Sequence, residues 1–329
     1  MKLITLFSGV GMQEQGIIDL NIQYDLINYC EYDSKIANCF NIVHNTDDSK
    51  NIGDITKLDV NKYYNNLKKQ KNTDIDVVIS SFPCQSFSIA GKKKGFEDEK
   101  NGSLYDHQYK LIKKVKPKIV IYENVKNITN KKFGAIEKIT NSMEKLGYTC
   151  FHKVLNSLNF GMPQNRERWF MVCIKNYNSF SQEFTFPQPL ELTTCVKDYI
   201  VDTDNRSCCS SMKPYFQEDY QMVYKSTRGM KKVFDGVEQK YFKSGFTTHR
   251  IYSIEGVSPT FTTSNDCHFY ELEGKLTSKE RWRLMGMKDD DHTKLIDSGV
   301  SEGLIHKICG NGIVVNVFRE LFKEVNKFL

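Results

Sequence analysis

The sequence predicts a doubly wound α/β domain with a mostly parallel sheet, joined to a smaller irregular domain. Three observations carry this. Short apolar runs at 2–6, 76–81 and 118–122 have the character of strands buried on both faces. Helix-like segments separate them, the alternation that a parallel sheet requires. From about 186 to 274 the rhythm stops and the chain becomes irregular, rich in Lys, Tyr, Ser and Thr.

In order, residues 2–6 read as a strand met at once by Gly9 and Gly11, and 13–20 as the helix that follows. Residues 24–29 give a second strand running to Glu31, and 34–40 a second helix. Asn51-Ile52-Gly53-Asp54-Ile55 reads as a third strand with Asp54 at its end. Strands at 76–81 and 118–122 flank a helix at 104–114. A helix at 135–146, stopped by Gly147, leads to strands at 148–155 and 169–174. Phe186-Pro187-Gln188-Pro189 has the composition of a linker. Regular structure resumes at 277–285, and Val314, Val317, Leu321 and Val325 mark an amphipathic last helix. The expected domains are 1–185, 186–274, and 275–329 as a return to the first.

The 329 residues suffice for one large domain or two modest ones. A charged fraction of 26% and 40% hydrophobic residues suit a soluble globular protein, and the net charge of +6 is compatible with a polyanionic partner. Ten cysteines at irregular spacing form no CxxC pair, so no metal site is expected. No apolar run approaches membrane length, and residues 1–6 carry no signal-peptide core; a cytoplasmic protein with free thiols is expected.

Phe7-Ser8-Gly9-Val10-Gly11 lies between a strand and a helix, with Glu31 about 20 residues on, where an acid binds the ribose of an adenosine. The spacing departs from GxGxxG; a plain tight turn beside a surface acid fits these residues too. Cys84 follows the 76–81 strand directly. Most of the ten cysteines read as small buried apolar residues, but Pro83 fixes the backbone before Cys84. Ser80, Ser81, Gln85, Ser86 and Ser88 surround it with polar groups, as suits a partly ionised thiol. Glu123-Asn124-Val125 ends the 118–122 strand, and Gln164-Asn165-Arg166-Glu167-Arg168 precedes the 169–174 strand. A thiol, a carboxyl and guanidinium groups at several strand ends form an active-site constellation.

Taken together, these motifs resemble the cytosine-5 DNA methyltransferases over nearly the whole chain. Arg250-Ile251-Tyr252-Ser253, Ser258-Pro259-Thr260, Arg283-Leu284-Met285-Gly286 and Gly310-Asn311-Gly312 extend the match. Two departures are Met12, where many relatives have glycine, and Gly312, where serine is common. The resemblance implies a methyltransferase fold and S-adenosylmethionine as methyl donor. It implies Cys84 as nucleophile, with Glu123, Arg168 and Arg166 as the other catalytic residues. Phe7, Gly9, Gly11, Glu31, Asp54, Ile55, Pro83, Leu104 and Asn311 would contact the donor. The partner would be double-stranded DNA, touched by Gln85, Ser88, the basic loop with Lys92, Lys93 and Lys94, Arg250 and Thr260. Site choice would lie in 225–268, above all in 243–250 and 260–268, where basic and aromatic residues interleave. A monomer is expected, with a companion restriction endonuclease for the same site. A tRNA substrate is the nearest alternative; Gly245-Phe246-Thr247 only approaches the Cys-Phe-Thr motif of that branch. A catalytically silent DNA-binding relative would not need Cys84, Glu123 and Arg168, and a nicotinamide dehydrogenase would not explain Pro83-Cys84-Gln85.

Overall fold

The computed structural model describes residues 1–83, 102–201, 206–208, 210–216, 225–227, 229–235, 250–263 and 267–329. In chain order the elements begin with β1 (Lys2–Leu6), α1 (Met12–Ile18), β2 (Asp25–Cys30), α2 (Ser34–His44) and α3 (Val60–Lys69). Then come β3 (Val77–Ser80), α4 (Gly102–Val115), β4 (Ile119–Val125), α5 (Ala135–Glu144), β5 (Tyr148–Asn156), β6 (Gln164–Asn165) and β7 (Glu167–Lys175). Short strands β8 (Lys225–Thr227), β9 (Met230–Asp235), β10 (Arg250–Tyr252), β11 (Ser258–Pro259) and β12 (His268–Phe269) follow. The last helices are α6 (Ser278–Arg283), α7 (Asp289–Asp297), α8 (Glu302–Asn311) and α9 (Val315–Val325).

Two compact units divide these elements: Met1–Leu155, Glu167–Gln188 and Arg319–Leu329 in the first, Asn156–Arg166 and Pro189–Phe318 in the second. Composition places boundaries after 185 and 274, whereas compactness places them after 188 and 318 and also detaches 156–166.

The first unit is built on a six-stranded sheet ordered β2-β1-β3-β4-β7-β5. β1 runs parallel to β2 and β3, and β3 parallel to β4, so these strands deliver their carboxyl ends to one edge. β7 is antiparallel to β4, and its first residues therefore meet the last residues of β4, with Arg168 opposite Val125 and Phe170 opposite Glu123. β3 and the first six residues of β4 are buried; the apolar runs at 77–79 and 119–122 account for most of this, and Ser80, Glu123 and Asn124 are polar groups buried at the strand tips. Helices α4 and α5 contribute Leu111, Ile112, Ile139 and Met143 to the same core.

The expected strand at 51–55 is not formed. Asn51 makes a single parallel bridge to Tyr29, and Gly53 at φ +74° then turns the chain out of extended geometry. Asp54 instead caps the one-turn 3-10 helix Ile55–Lys57 by accepting from Thr56 N. Helix α3, absent from the sequence reading, buries Leu67 alone and exposes a polar surface, so its apolar period is faint.

The second unit holds a four-stranded sheet ordered β12-β10-β9-β8 and a two-stranded pairing of β11 with β6. Its helix α6 opens with a capping box between Thr277 and Glu280. The fully buried Glu280 carboxylate also receives Val201 N at 2.9 Å and both terminal nitrogens of Arg206 at 2.7 Å. Burial works to raise this carboxyl, yet Arg206 and the two backbone N–H groups hold it below the usual range. Among the described residues no helix is long and apolar enough to cross a membrane.

Candidate active site

At the carboxyl end of β1 the chain turns through Phe7, Gly9 and Gly11, all at positive φ (56°, 58° and 81°). Phe7 is unusual among them, a bulky residue held in the left-handed region that function-bearing turns tolerate. Gly11 is sterically obligatory. A Cβ there would lie 2.1 Å from His44 Nε2 and 2.9 Å from Phe40, and His44 is itself 3.0 Å from the Val10 carbonyl.

Glu31, just beyond β2, closes over this turn. Its Oε2 accepts from Gly9 N at 3.1 Å and its Oε1 from Asp33 N at 3.0 Å. Burial pushes this carboxyl up from its ordinary range, and the two N–H groups pull it back. Tyr32, the next residue, leaves 78% of its surface exposed. Asp54 Oδ1 accepts from Thr56 N and Oγ1, and those bonds hold its carboxyl below the usual range. Asn51 ties the two acids together. Its Oδ1 accepts from Glu31 N at 3.1 Å and Gly53 N at 2.9 Å, and its Nδ2 donates to Glu31 O at 3.0 Å. A built Cβ at Gly9 or Gly53 meets nothing within 4 Å, so both turns leave open space. Ile55 lies in the core and Leu104 is half-buried against it.

The neighbouring strand tips bear the second group of predicted residues. Glu123, 6% exposed near the end of β4, pairs with Arg168 Nε at 3.3 Å. Asn124 donates through Nδ2 to the Phe82 carbonyl at 3.0 Å, fastening the chain after β3 to the tip of β4. Phe82 packs edge-on against Tyr105 and Tyr122, which fixes the segment entering Pro83. Cys84, Gln85, Ser88, Lys92, Lys93 and Lys94 lie outside the described residues.

Arg166 and Arg168 are engaged differently. Arg166 belongs to the second unit and is 1% exposed. It donates to the carbonyls of Phe261 (3.2 Å), Gly310 (2.8 Å) and Gly312 (2.6 Å). Arg281, also buried, donates to the Thr262 carbonyl at 2.9 Å, stacks over Phe261 and sits 2.6 Å from His306 Nδ1. Gly310 lies so close to Thr262 that a Cβ there would be 2.6 Å from the Thr262 carbonyl. Asn311 ends α8 beside this clamp. Thr260 donates its hydroxyl to Asn165 O at 2.6 Å, and Arg250 opens β10 opposite Asp235. Within 225–268, residues 228, 236–249 and 264–266 lie outside the described residues, including the stretch 243–249.

Sequence reasoning missed Asn51, Tyr32, Arg281 and Glu280. Only Tyr32 carried a usable signal, as an aromatic directly after a strand-end acid.

Comparison with known proteins points to one family. A family model described as C-5 cytosine-specific DNA methylase matches residues 1–327. The chain is 32% identical to the type II methyltransferase M.HhaI of Haemophilus parahaemolyticus, over 78% of the chain and 77% of that protein. It is 30% identical to the type II methyltransferase M.Bsp6I of Bacillus sp. (strain RFL6), over 99% of each. In fold it is similar to Dnmt2 methyltransferase of S. pombe, with a TM-score of 0.65, 18% identity and coverage of 99% of this chain and 98% of the other. The methyltransferase EhMeth of Entamoeba histolytica gives a TM-score of 0.69 at 17% identity over the same shares.

Proposed function

The chain belongs to the C-5 cytosine-specific DNA methylase family, and we propose that it methylates a cytosine in a specific duplex DNA site through a covalent bond to Cys84. The observation that carries this reading is the junction of two strand tips. Glu123, paired with Arg168, adjoins Asn124, whose side chain binds the Phe82 carbonyl two residues before Cys84.

The residues around the first glycine turn fit S-adenosylmethionine. Glu31 offers a carboxylate for ribose hydroxyls, Asp54 an acceptor for an exocyclic amine, and Tyr32 an open ring face for a purine. Gly9 and Gly53 leave the space for a ligand to approach the backbone. When bound, this donor supplies an electrophilic methyl group on a sulfonium sulfur.

Carbon 5 of cytosine is too weak a nucleophile to take that methyl group unaided. The Cys84 thiolate adds to carbon 6, and the displaced electron pair makes the ring an enamine that is nucleophilic at carbon 5. Glu123 in its protonated form donates to ring nitrogen 3 and accepts from the exocyclic amine. It passes its proton to nitrogen 3 as the thiolate adds and takes it back when the Cys84–carbon 6 bond breaks, help worth roughly 10²–10⁴ in rate. Arg168 orients Glu123. After alkylation, water removes the carbon 5 proton and the Cys84–carbon 6 bond breaks, restoring the aromatic ring and the thiolate. Carbon 6 is out of reach in a stacked duplex, so the base is flipped out. Lys92, Lys93 and Lys94 hold phosphates, and 225–268 chooses the site. Arg166 serves as a positioning residue, since its guanidinium is engaged by three backbone carbonyls. Similarity to proteins named type II methyltransferases supports a restriction-modification setting with a companion endonuclease.

The test combines transfer and trapping. Tritium from labelled S-adenosylmethionine should be retained on duplex DNA and not on tRNA; the reverse would change the substrate. DNA containing 5-fluorocytosine should form a complex that survives denaturation. Cys84→Ala should abolish both it and methylation, and a Cys84→Ala protein that still trapped would end the covalent assignment.

A further inference from the structure

We propose that Asn51 is a positioning residue for the methyl donor, locking the ribose-binding acid Glu31 to the turn that presents Asp54. This rests on the reading that Glu31 holds the donor. The Asn51 backbone is anchored near the carboxyl end of β2, by its bridge to Tyr29 and by Ile52 N donating to the Tyr29 carbonyl at 2.7 Å. From there its side chain reaches two residues further and grips Glu31 at both polar atoms of the backbone, N–H to Oδ1 and C=O to Nδ2. A planar amide bonded in both directions acts as a missing strand neighbour and sets the orientation of the Glu31 backbone. The same Oδ1 takes Gly53 N, at the residue whose positive φ redirects the chain into Asp54.

Few residues could do this. The position needs an acceptor and a donor on one short planar group. Aspartate keeps the acceptor for both N–H groups but turns a carboxylate oxygen toward the Glu31 carbonyl and adds charge beside two acids. Glutamine places the amide one methylene too far, and serine offers one atom for three partners.

Isothermal titration of the full-length protein with S-adenosylhomocysteine, and steady-state methylation of duplex DNA, would test the assignment. Asn51→Ala should raise the dissociation constant and the donor KM about tenfold, the equivalent of one to two lost hydrogen bonds. Its kcat at saturating donor and its DNA affinity should stay within about twofold of the parent. Asn51→Asp, nearly identical in shape, should lose at least as much affinity; a side chain that merely filled space would tolerate it. Glu31→Ala separates the two layers of the argument. If Glu31→Ala leaves ligand affinity intact, the reading of Glu31 falls and this inference with it. If Glu31→Ala weakens binding and both Asn51 variants bind normally, the inference alone is overturned. A fall in kcat as large as the rise in KM would also overturn it.

Discussion

The two compact units hold their candidate residues by different means. In the first, each group stands at the end of a strand and is steadied by the next strand over: Gly9 N reaches Glu31 across β1 and β2, and Asn124 reaches Phe82 across β4 and β3. Parallel pairing brings these tips together, and the antiparallel β7 adds Arg168 at its start. In the second, Arg166 gathers carbonyls 95, 144 and 146 residues away, and Arg281 fixes the same segment at Thr262. Residues steadied by sheet neighbours can change in chemistry without loss of fold. A buried cation shared among distant loops cannot be removed so cheaply, because the carbonyls it served lose their partner.

The contrast is open to attack from both sides. Removing the acid at the strand tips should give the largest effect: Glu123→Gln is expected to lower kcat by roughly 10²–10⁴ with donor binding intact. Single-turnover methylation measures it, and a loss below tenfold would leave Glu123 a structural partner of Arg168. Next come the arginines. Arg166→Met leaves three carbonyls without their donor and should cost about 3–5 kcal/mol in urea-induced unfolding. Arg168→Lys keeps a cation beside the buried Glu123 and gives up about one hydrogen bond, so it should cost about 0.5–1.5 kcal/mol of stability and act mainly on kcat. Equal stability losses for both would erase the difference between the units. Gly11→Ala should be smaller, about 1–3 kcal/mol from left-handed strain and the overlap with His44; thermal unfolding reads it, together with a raised donor KM.

One further effect shows itself only against pH. Glu14, on the first turn of α1, is fully buried, and burial pushes its carboxyl up to about 7 against a lesser pull from Thr5. Because the folded state holds this proton more tightly than the unfolded chain, stability is greatest below the unfolded carboxylate range. It declines as pH rises through about 7. Glu14→Gln should therefore raise the unfolding temperature near about pH 9 and leave it unaltered near about pH 4. A pH-independent shift would mean that Glu14 is charged inside the fold.

Much of the first unit was legible because its signals are local. Apolar runs located β1, β3 and β4, and the residues that end them are the ones found at the sheet edge. The pairing of Glu123 with Arg168 follows from motifs at the end of one strand and the start of its antiparallel neighbour. Legibility ended where partners are remote or where a side chain replaces a strand. Nothing near Asn51 tells that its amide completes β2, and the strand expected at 51–55 dissolved on the positive φ of Gly53. From its motif Arg166 reads as a catalytic guanidinium beside Arg168; its engagement by the carbonyls of Phe261, Gly310 and Gly312, all remote in sequence, carries no local signal.

The knot at Glu280 has a consequence for how this chain can vary in length. Val201 donates to that carboxylate while its carbonyl accepts from Arg206, and Arg206 binds the same carboxylate with both nitrogens. Whatever segment joins 201 to 206, its two ends are returned to a single buried anion. Each doubling of such a closed segment costs only about 0.6 kcal/mol of closure entropy. Extra residues there need not disturb the capping box of α6 or the helices that follow. Evolution can lengthen the second unit at this point without redesigning it.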